Sequence, residues 1–69
     1  MIPMPEPIPE LGVQAGEKGT VHDVYDGGRK VFAEVSRDDG TTIGFVDLAL
    51  HPEPRVISYS ATRKNSGVE

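Results

Sequence analysis

Polar and apolar residues alternate most cleanly between Lys30 and Ser36. Val31, Ala33 and Val35 fall on one side, and Phe32, Glu34 and Ser36 on the other. A period of two marks a half-buried strand, and the valine side is expected to be core. Phe32 stands on the polar side. There it covers a second small cluster, lies in an interface, or is a single exposed apolar residue. Upstream, residues 16–25 read Gly-Glu-Lys-Gly-Thr-Val-His-Asp-Val-Tyr, a glycine-marked turn that launches a strand. Val21 and Val24 are three apart, so a regular strand would point them to opposite faces. Either a bulge near His22 and Asp23 returns both valines to one face, or both faces are partly covered, as in a small barrel. The bulge is the preferred reading, and both readings favour a curled sheet.

The remaining elements follow from the punctuation. Asp26-Gly27-Gly28-Arg29 and Arg37-Asp38-Asp39-Gly40 are hairpin signals, because Asp-Gly and Gly-Gly tolerate positive φ. A third strand is expected over residues 41–46, with Ile43 and Phe45 on one face and Gly44 and Val46 on the other. Gly44 inside a strand predicts a bend or a close backbone approach. Leu48, Ala49 and Leu50 read as a short apolar turn, and His51-Pro52-Glu53-Pro54 breaks regular structure. A last strand is expected over residues 55–60, with Val56, Ile57 and Tyr59 as its apolar positions.

The ends differ from this pattern. Prolines at 3, 5, 7 and 9 hold the first nine residues extended and remove every second ladder donor. Their spacing lacks the three-residue step of a Pro-x-x-Pro ligand. An arm lying over its own domain or a neighbour's is expected, with Ile2, Met4 and Ile8 as contacts. Leu11 and Val13 in the following connection are expected in the core. Residues 61–69 are polar and without period, which predicts a mobile tail. The division is therefore arm 1–9, β domain 10–60 and tail 61–69. No segment keeps a helical period beyond two turns, so the class is all-β, a small barrel or sandwich.

Length and charge narrow the function. A chain of 69 residues is one domain with a small core. It has no cysteine, hence no disulfide and no thiolate zinc site, which suits a reducing cytoplasm. No apolar run reaches a bilayer span, and the N-terminus has no signal-peptide pattern. The net charge is −4. Residues 1–54 carry four basic and ten acidic side chains, and residues 55–69 carry three basic and one acidic. An acidic body repels phosphate backbones and makes nucleic acid an unfavoured partner.

Residues 9–21, Pro-Glu-Leu-Gly-Val-Gln-Ala-Gly-Glu-Lys-Gly-Thr-Val, carry a resemblance. With Ala33-Glu34-Val35 and Asp39-Gly40-Thr41-Thr42-Ile43 they resemble a family of small bacterial domains of unknown function, over about residues 9 to 48. The resemblance implies an SH3-like, partly open antiparallel barrel of four to five short strands. Members of that family begin with a strand before the glycine turn, where this chain has its proline arm. The resemblance therefore implies that the first strand is supplied by residues 55–60 or by a second copy. His22 replaces a usual valine, and the chain from His51 onward departs from the pattern. Gly16, Gly19 and Val21 also resemble half of the KOW motif of RNA-associated barrels.

Candidate chemistry is thin. His22 beside Asp23 has the residue types of an acid–base pair, but neighbours on a strand point apart unless a bulge turns them. His51 is 29 positions from His22, and the pair lacks a metal-ligand spacing. Asp23, Asp26, Asp38, Asp39 and Asp47 do not fall into a calcium-loop spacing. The hairpin tip Gly27-Gly28-Arg29-Lys30 has the chemistry to touch a phosphate, as does any solvated tip. Tyr25, Phe32, Phe45 and Tyr59 are candidates for a base-stacking platform, though so small a domain needs aromatics for its core. No catalytic residue, metal or cofactor is expected. The leading expectation is a non-enzymatic protein-interaction or self-association module, with Phe32, Tyr25, Tyr59, Lys18, Arg29 and Lys30 as its surface. The alternatives are a KOW-like RNA contact through Lys18, Arg29 and Lys30, and an enzyme whose site near His22, Tyr25 or Tyr59 forms only on an oligomer axis.

Overall fold

The computed structural model describes residues 1–62. Five strands form an antiparallel meander: β1 (Ile2–Pro3), β2 (Lys18–Tyr25), β3 (Lys30–Ser36), β4 (Thr42–Ala49) and β5 (Arg55–Ala61). They pair in chain order, so β1 and β5 are the two edges. The sheet curls into a partly open barrel. No α-helix occurs among the described residues, only short 3₁₀ turns at Pro9–Leu11 and Asp26–Gly28. No helix of the described residues is long and apolar enough to cross a membrane.

The central strand is β3, and its alternation sets the two faces. Val31, Ala33 and Val35 are buried on the inner face, joined there by Val46 and Leu48 of β4. What covers that face is the proline arm with the connection after it. Met4, Ile8, Leu11 and Val13 are all buried in the same cluster as Val31, Val35, Val46 and Leu48. Thus half of the buried cluster comes from residues that form almost no strand. The arm docks in cis. Met4 N–H donates to the Glu17 carbonyl at 2.7 Å, and Gly16 N–H donates to the Met4 carbonyl at 2.9 Å. Farther along, Glu6 accepts the Val56 N–H at 2.8 Å and ties the arm to β5. The arm therefore bridges the barrel's open side.

Within the chain, the strand beside β2 comes from the arm and not from residues 55–60. Ile2 pairs with Gly19 and Pro3 with Lys18, so the arm itself makes β1. Two residues are all that proline spacing permits, and an edge is the one place where Pro3 costs no ladder bond. Residues 55–60 instead lie on β4 at the opposite edge.

Three bulges reset the faces. In β2 the register jumps between Val21 and Asp23, leaving His22 as the extra residue. The expected bulge is therefore present. It returns Val21 and Val24 to the inner face, opposite Ala33 and Val31. Only Val21 is packed, because Val24 lies beyond the covered part of the face and stays 56% exposed. In β4 the extra residue is Ile43, which packs against the inner core while Phe45 points outward. The expected grouping of Ile43 with Phe45 on one face is corrected by that bulge. In β5 the extra residue is Ile57.

The apolar run at Leu48 also needs correcting. Leu48 and Ala49 are not a turn but the end of β4, paired with Val31 and Lys30. Val46 and Leu48 keep the period of two, and the pairing continues until the prolines at 52 and 54. Gly44 shows the predicted close approach, since a Cβ there would lie 2.4 Å from the Ser60 carbonyl oxygen. Gly19 is the same device for the arm: a Cβ there would lie 2.9 Å from Met4 Cε.

Candidate functional site

The outer face of β2–β4 gathers most of the side-chain chemistry. A bulge places two residues of one strand against one of its partner. Here His22 and Asp23 both reach the outer face, a placement that regular alternation forbids. Asp23 stands opposite Phe32 across β2–β3. His22 Nε2 lies 2.7 Å from Glu34 Oε1, so Nε2 carries the proton and donates it to the carboxylate. The histidine's partner is thus Glu34, twelve positions away, and not its neighbour Asp23.

Around this pair lies an aromatic cluster. Phe32 and Phe45 are stacked with centroids 5.5 Å apart and planes within 6° of parallel. His22 meets Phe45 edge-on at 6.3 Å and Phe32 tilted at 6.5 Å. Phe32 therefore covers a second small cluster. Both phenylalanines are half-buried by this mutual contact.

Polar groups frame the cluster. The Thr42 hydroxyl donates to Glu34 Oε2, and the Ser36 hydroxyl lies 3.4 Å from the same oxygen. These donors, Thr42 first and His22 second, hold the Glu34 carboxyl below its ordinary pKa. The Tyr25 hydroxyl donates to Asp47 Oδ1 at 2.9 Å, and Ser58 donates to Oδ2 at 3.2 Å. The bond to Asp47 pushes the Tyr25 phenol above its ordinary value, since ionisation would face a carboxylate. On the hairpin, Thr41 N–H donates to Asp39 Oδ1 at 2.9 Å and lowers the Asp39 pKa.

The signs set a pH response. Glu34 and Asp39 have depressed folded pKa values, so their stabilisation is complete above the unfolded carboxylate range. It is lost as pH falls through the folded values. Chemical denaturation is expected to show the midpoint falling on acidification below about 4.5, the ordinary value for Glu34. Glu34→Gln is expected to flatten part of that fall; an unchanged acid limb would show that the Thr42 and His22 bonds carry no linkage. Tyr25 acts in the opposite sense, with stability lost as pH rises through its raised pKa.

Among the described residues no serine or threonine hydroxyl donates to His22; Thr42 and Ser36 spend their protons on Glu34. No group of three metal-ligating side chains occurs among the described residues.

The expected surface residues separate into distinct places. Phe32 and Tyr25 are on the outer face. Lys30 is opposite Tyr25 and lies 3.8 Å from Asp26 in an ion pair. Arg29 is in the β2–β3 loop, and Lys18 is at the far end of that hairpin, beside Pro3 of β1. The three basic residues therefore form no common patch. Tyr59 is opposite Val46, on the inner face, where Glu10 raises its phenol pKa. Tyr59 and the pair His22 and Tyr25 thus lie on opposite faces of the sheet.

Two further features are open to solvent. An apolar groove of about 500 Å³ runs between the arm and β4, lined by Ile2, Pro3, Met4, Pro5, Leu48, Leu50 and Pro54. Among the described residues the outer edge of β5 pairs with no strand. Thr62 N–H donates inward to the Ile43 carbonyl, so by alternation Ala61 and Tyr59 present their backbone groups outward. Ile57 and Tyr59 on this edge are 46% and 41% exposed.

His22, Glu34, Phe45, Asp47 and Thr42 were not grouped by sequence reasoning. The available signal was Phe32 and Glu34 at a spacing of two, which places them on one face. Their partners depended on bulge positions. No family model matches the chain, and neither does any curated protein or solved structure.

Proposed function

We propose that this chain is a non-enzymatic interaction module that self-associates by adding strand to strand at β5. The observation that carries the reading is the contrast between its two sheet edges. Proteins blunt open edges with prolines, charges or covering segments. On the opposite side β1 covers only Lys18 and Gly19 and ends in Pro3, and the rest of the β2 edge is broken by the bulge at His22 and carries the charge of Asp23. Among the described residues only the first outward donor of β5, Val56 N–H, is occupied, by Glu6. From Ile57 to Ala61 the strand has no charge and no proline.

A second copy suits this edge. A two-fold axis at Ser60 sets Tyr59 of one copy opposite Ala61 of the other, each pair exchanging its two backbone bonds. No residue of β5 itself is acidic, so the paired strands set no carboxylate directly opposite another. In this reading the chain is a small bacterial SH3-like domain acting in the cytoplasm, in keeping with the resemblance at residues 9–48.

Gel filtration with light scattering tests it. The full chain is expected to run as a dimer. Ile57→Lys places a charge on the free edge and is expected to weaken association about tenfold or more. Ala61→Pro removes one outward donor with the same result. Circular dichroism of each variant verifies the fold. A monomer at high concentration, or dimers that survive both substitutions, rejects the reading.

A further inference from the structure

We propose that the outer face of β2–β4 is a docking surface for a basic, arginine-bearing extended segment of another protein. This goes beyond self-association at β5 and uses different residues. The register makes the case. Phe32 has a carboxylate as its cross-strand neighbour on both sides, Asp23 on β2 and Asp47 on β4. Phe45 has Glu34 as its neighbour on β3. Directly opposed residues on one face sit about 5 Å apart. Two half-buried aromatic rings are therefore enclosed by three carboxylates on a single face.

That combination selects for a cation with an apolar stem. Aromatic rings attract guanidinium groups, and carboxylates accept their paired N–H donors. Arginine satisfies both, and its methylenes cover the phenylalanines. Among the described residues the local cations do not fill this role. Lys30 is engaged by Asp26, and Arg55 lies opposite Ala49 at the sheet's end. Asp23 makes no side-chain hydrogen bond or ion pair among the described residues, so one carboxylate beside Phe32 is uncommitted. A nucleic acid would stack on the same rings but would bring its phosphates against the three carboxylates. The outer face is open to solvent and not enclosed in a cleft, so an extended peptide can lie across its strands.

Three probes added to the full, isotope-labelled chain test this by NMR: a short peptide alternating arginine and proline, its glutamate counterpart, and a single-stranded RNA oligomer. The arginine peptide is expected to shift the resonances of Asp23, Phe32, Phe45 and Asp47, and to bind less tightly as salt is raised. Asp23→Asn, an isosteric change on the surface, is expected to weaken binding about fivefold without altering the fold. Phe45→Ala is expected to abolish it; because that change also opens the aromatic cluster, Asp23→Asn remains the deciding variant. Absence of shifts on this face, equal affinity for Asp23→Asn, or equal binding of the acidic peptide or the RNA would overturn the proposal. Shifts confined to β5 would also overturn it while leaving the dimer reading intact. A monomeric chain that still binds the peptide would reject only the dimer.

Discussion

Removal of residues 1–9 is expected to unfold the domain. The arm looks dispensable by composition, yet it carries Met4 and Ile8, each only 2% exposed. They lie in the cluster that also holds Val31, Val35, Val46 and Leu48. Emptying a buried methionine or isoleucine position costs about 2–5 kcal/mol. Two such losses rival the whole stability of a domain this size, about 3–10 kcal/mol. Truncation does more than empty two sites. It exposes the inner face of β3 and β4 to water, removes β1 from the edge of β2, and frees the Val56 N–H that Glu6 holds. A far-UV spectrum without strand signal and the absence of a cooperative melt are the expected results. Met4→Ala alone grades the effect: the chain should still fold, with its midpoint lowered by roughly 10–30 °C. If the truncated chain melts cooperatively near the full-length midpoint, the arm is not part of the core.

This dependence shows what could be read from the residues. The strand over Lys30–Ser36 was legible to the residue, because three buried side chains alternate with four that are not. Both hairpins were legible from Asp-Gly and Gly-Gly, since few other residues accept the φ values those turns need. The arm's contacts were legible as apolar residues between prolines. Face assignment beyond β3 was only partly so. A bulge at His22 was suggested by the spacing of Val21 and Val24, but Gly44 signalled only a bend or close approach and did not place the extra residue at Ile43. A single extra residue reverses every later side chain in a strand. Phe45 was therefore assigned to the face of Ile43, and its stacking on Phe32 was foreseen only as part of a four-residue aromatic group. The outer-face network depends on two bulges agreeing across three strands, which is a property of the assembled sheet. Leu48 was misread for a different reason: Leu-Ala-Leu interrupts the polar alternation, although Val46 and Leu48 continue the inner row.

The second large effect is expected at Gly44. Any side chain there meets backbone, not a movable side-chain end. A Cβ would sit 2.4 Å from the Ser60 carbonyl oxygen and 3.2 Å from Ala61 Cα. Gly44 is opposite Ala61 in the β4–β5 ladder, so relief requires the end of β5 to move away from β4. That movement stretches the bond from Thr62 N–H to the Ile43 carbonyl and the pairing of Phe45 with Ser60. Overpacking within a close-packed structure costs about 1–3 kcal/mol, and a clash against fixed backbone belongs at or above the top of that range. Gly44→Ala is expected to lower the midpoint by roughly 10–20 °C. Gly44→Val adds branches at the same place and should release the end of β5 from the sheet. Gly19→Ala provides the contrast. Its Cβ would meet the flexible end of Met4 at 2.9 Å, and that end can shift. It should therefore cost less than Gly44→Ala. Hydrogen exchange separates the two: Gly44→Ala should lose protection at Ser60 and Thr62, while Gly19→Ala should lose it at Met4 and Gly16. Equal midpoints for both variants, or retained protection at Ser60 in Gly44→Ala, would mean that β4 and β5 are not packed backbone against backbone at this point.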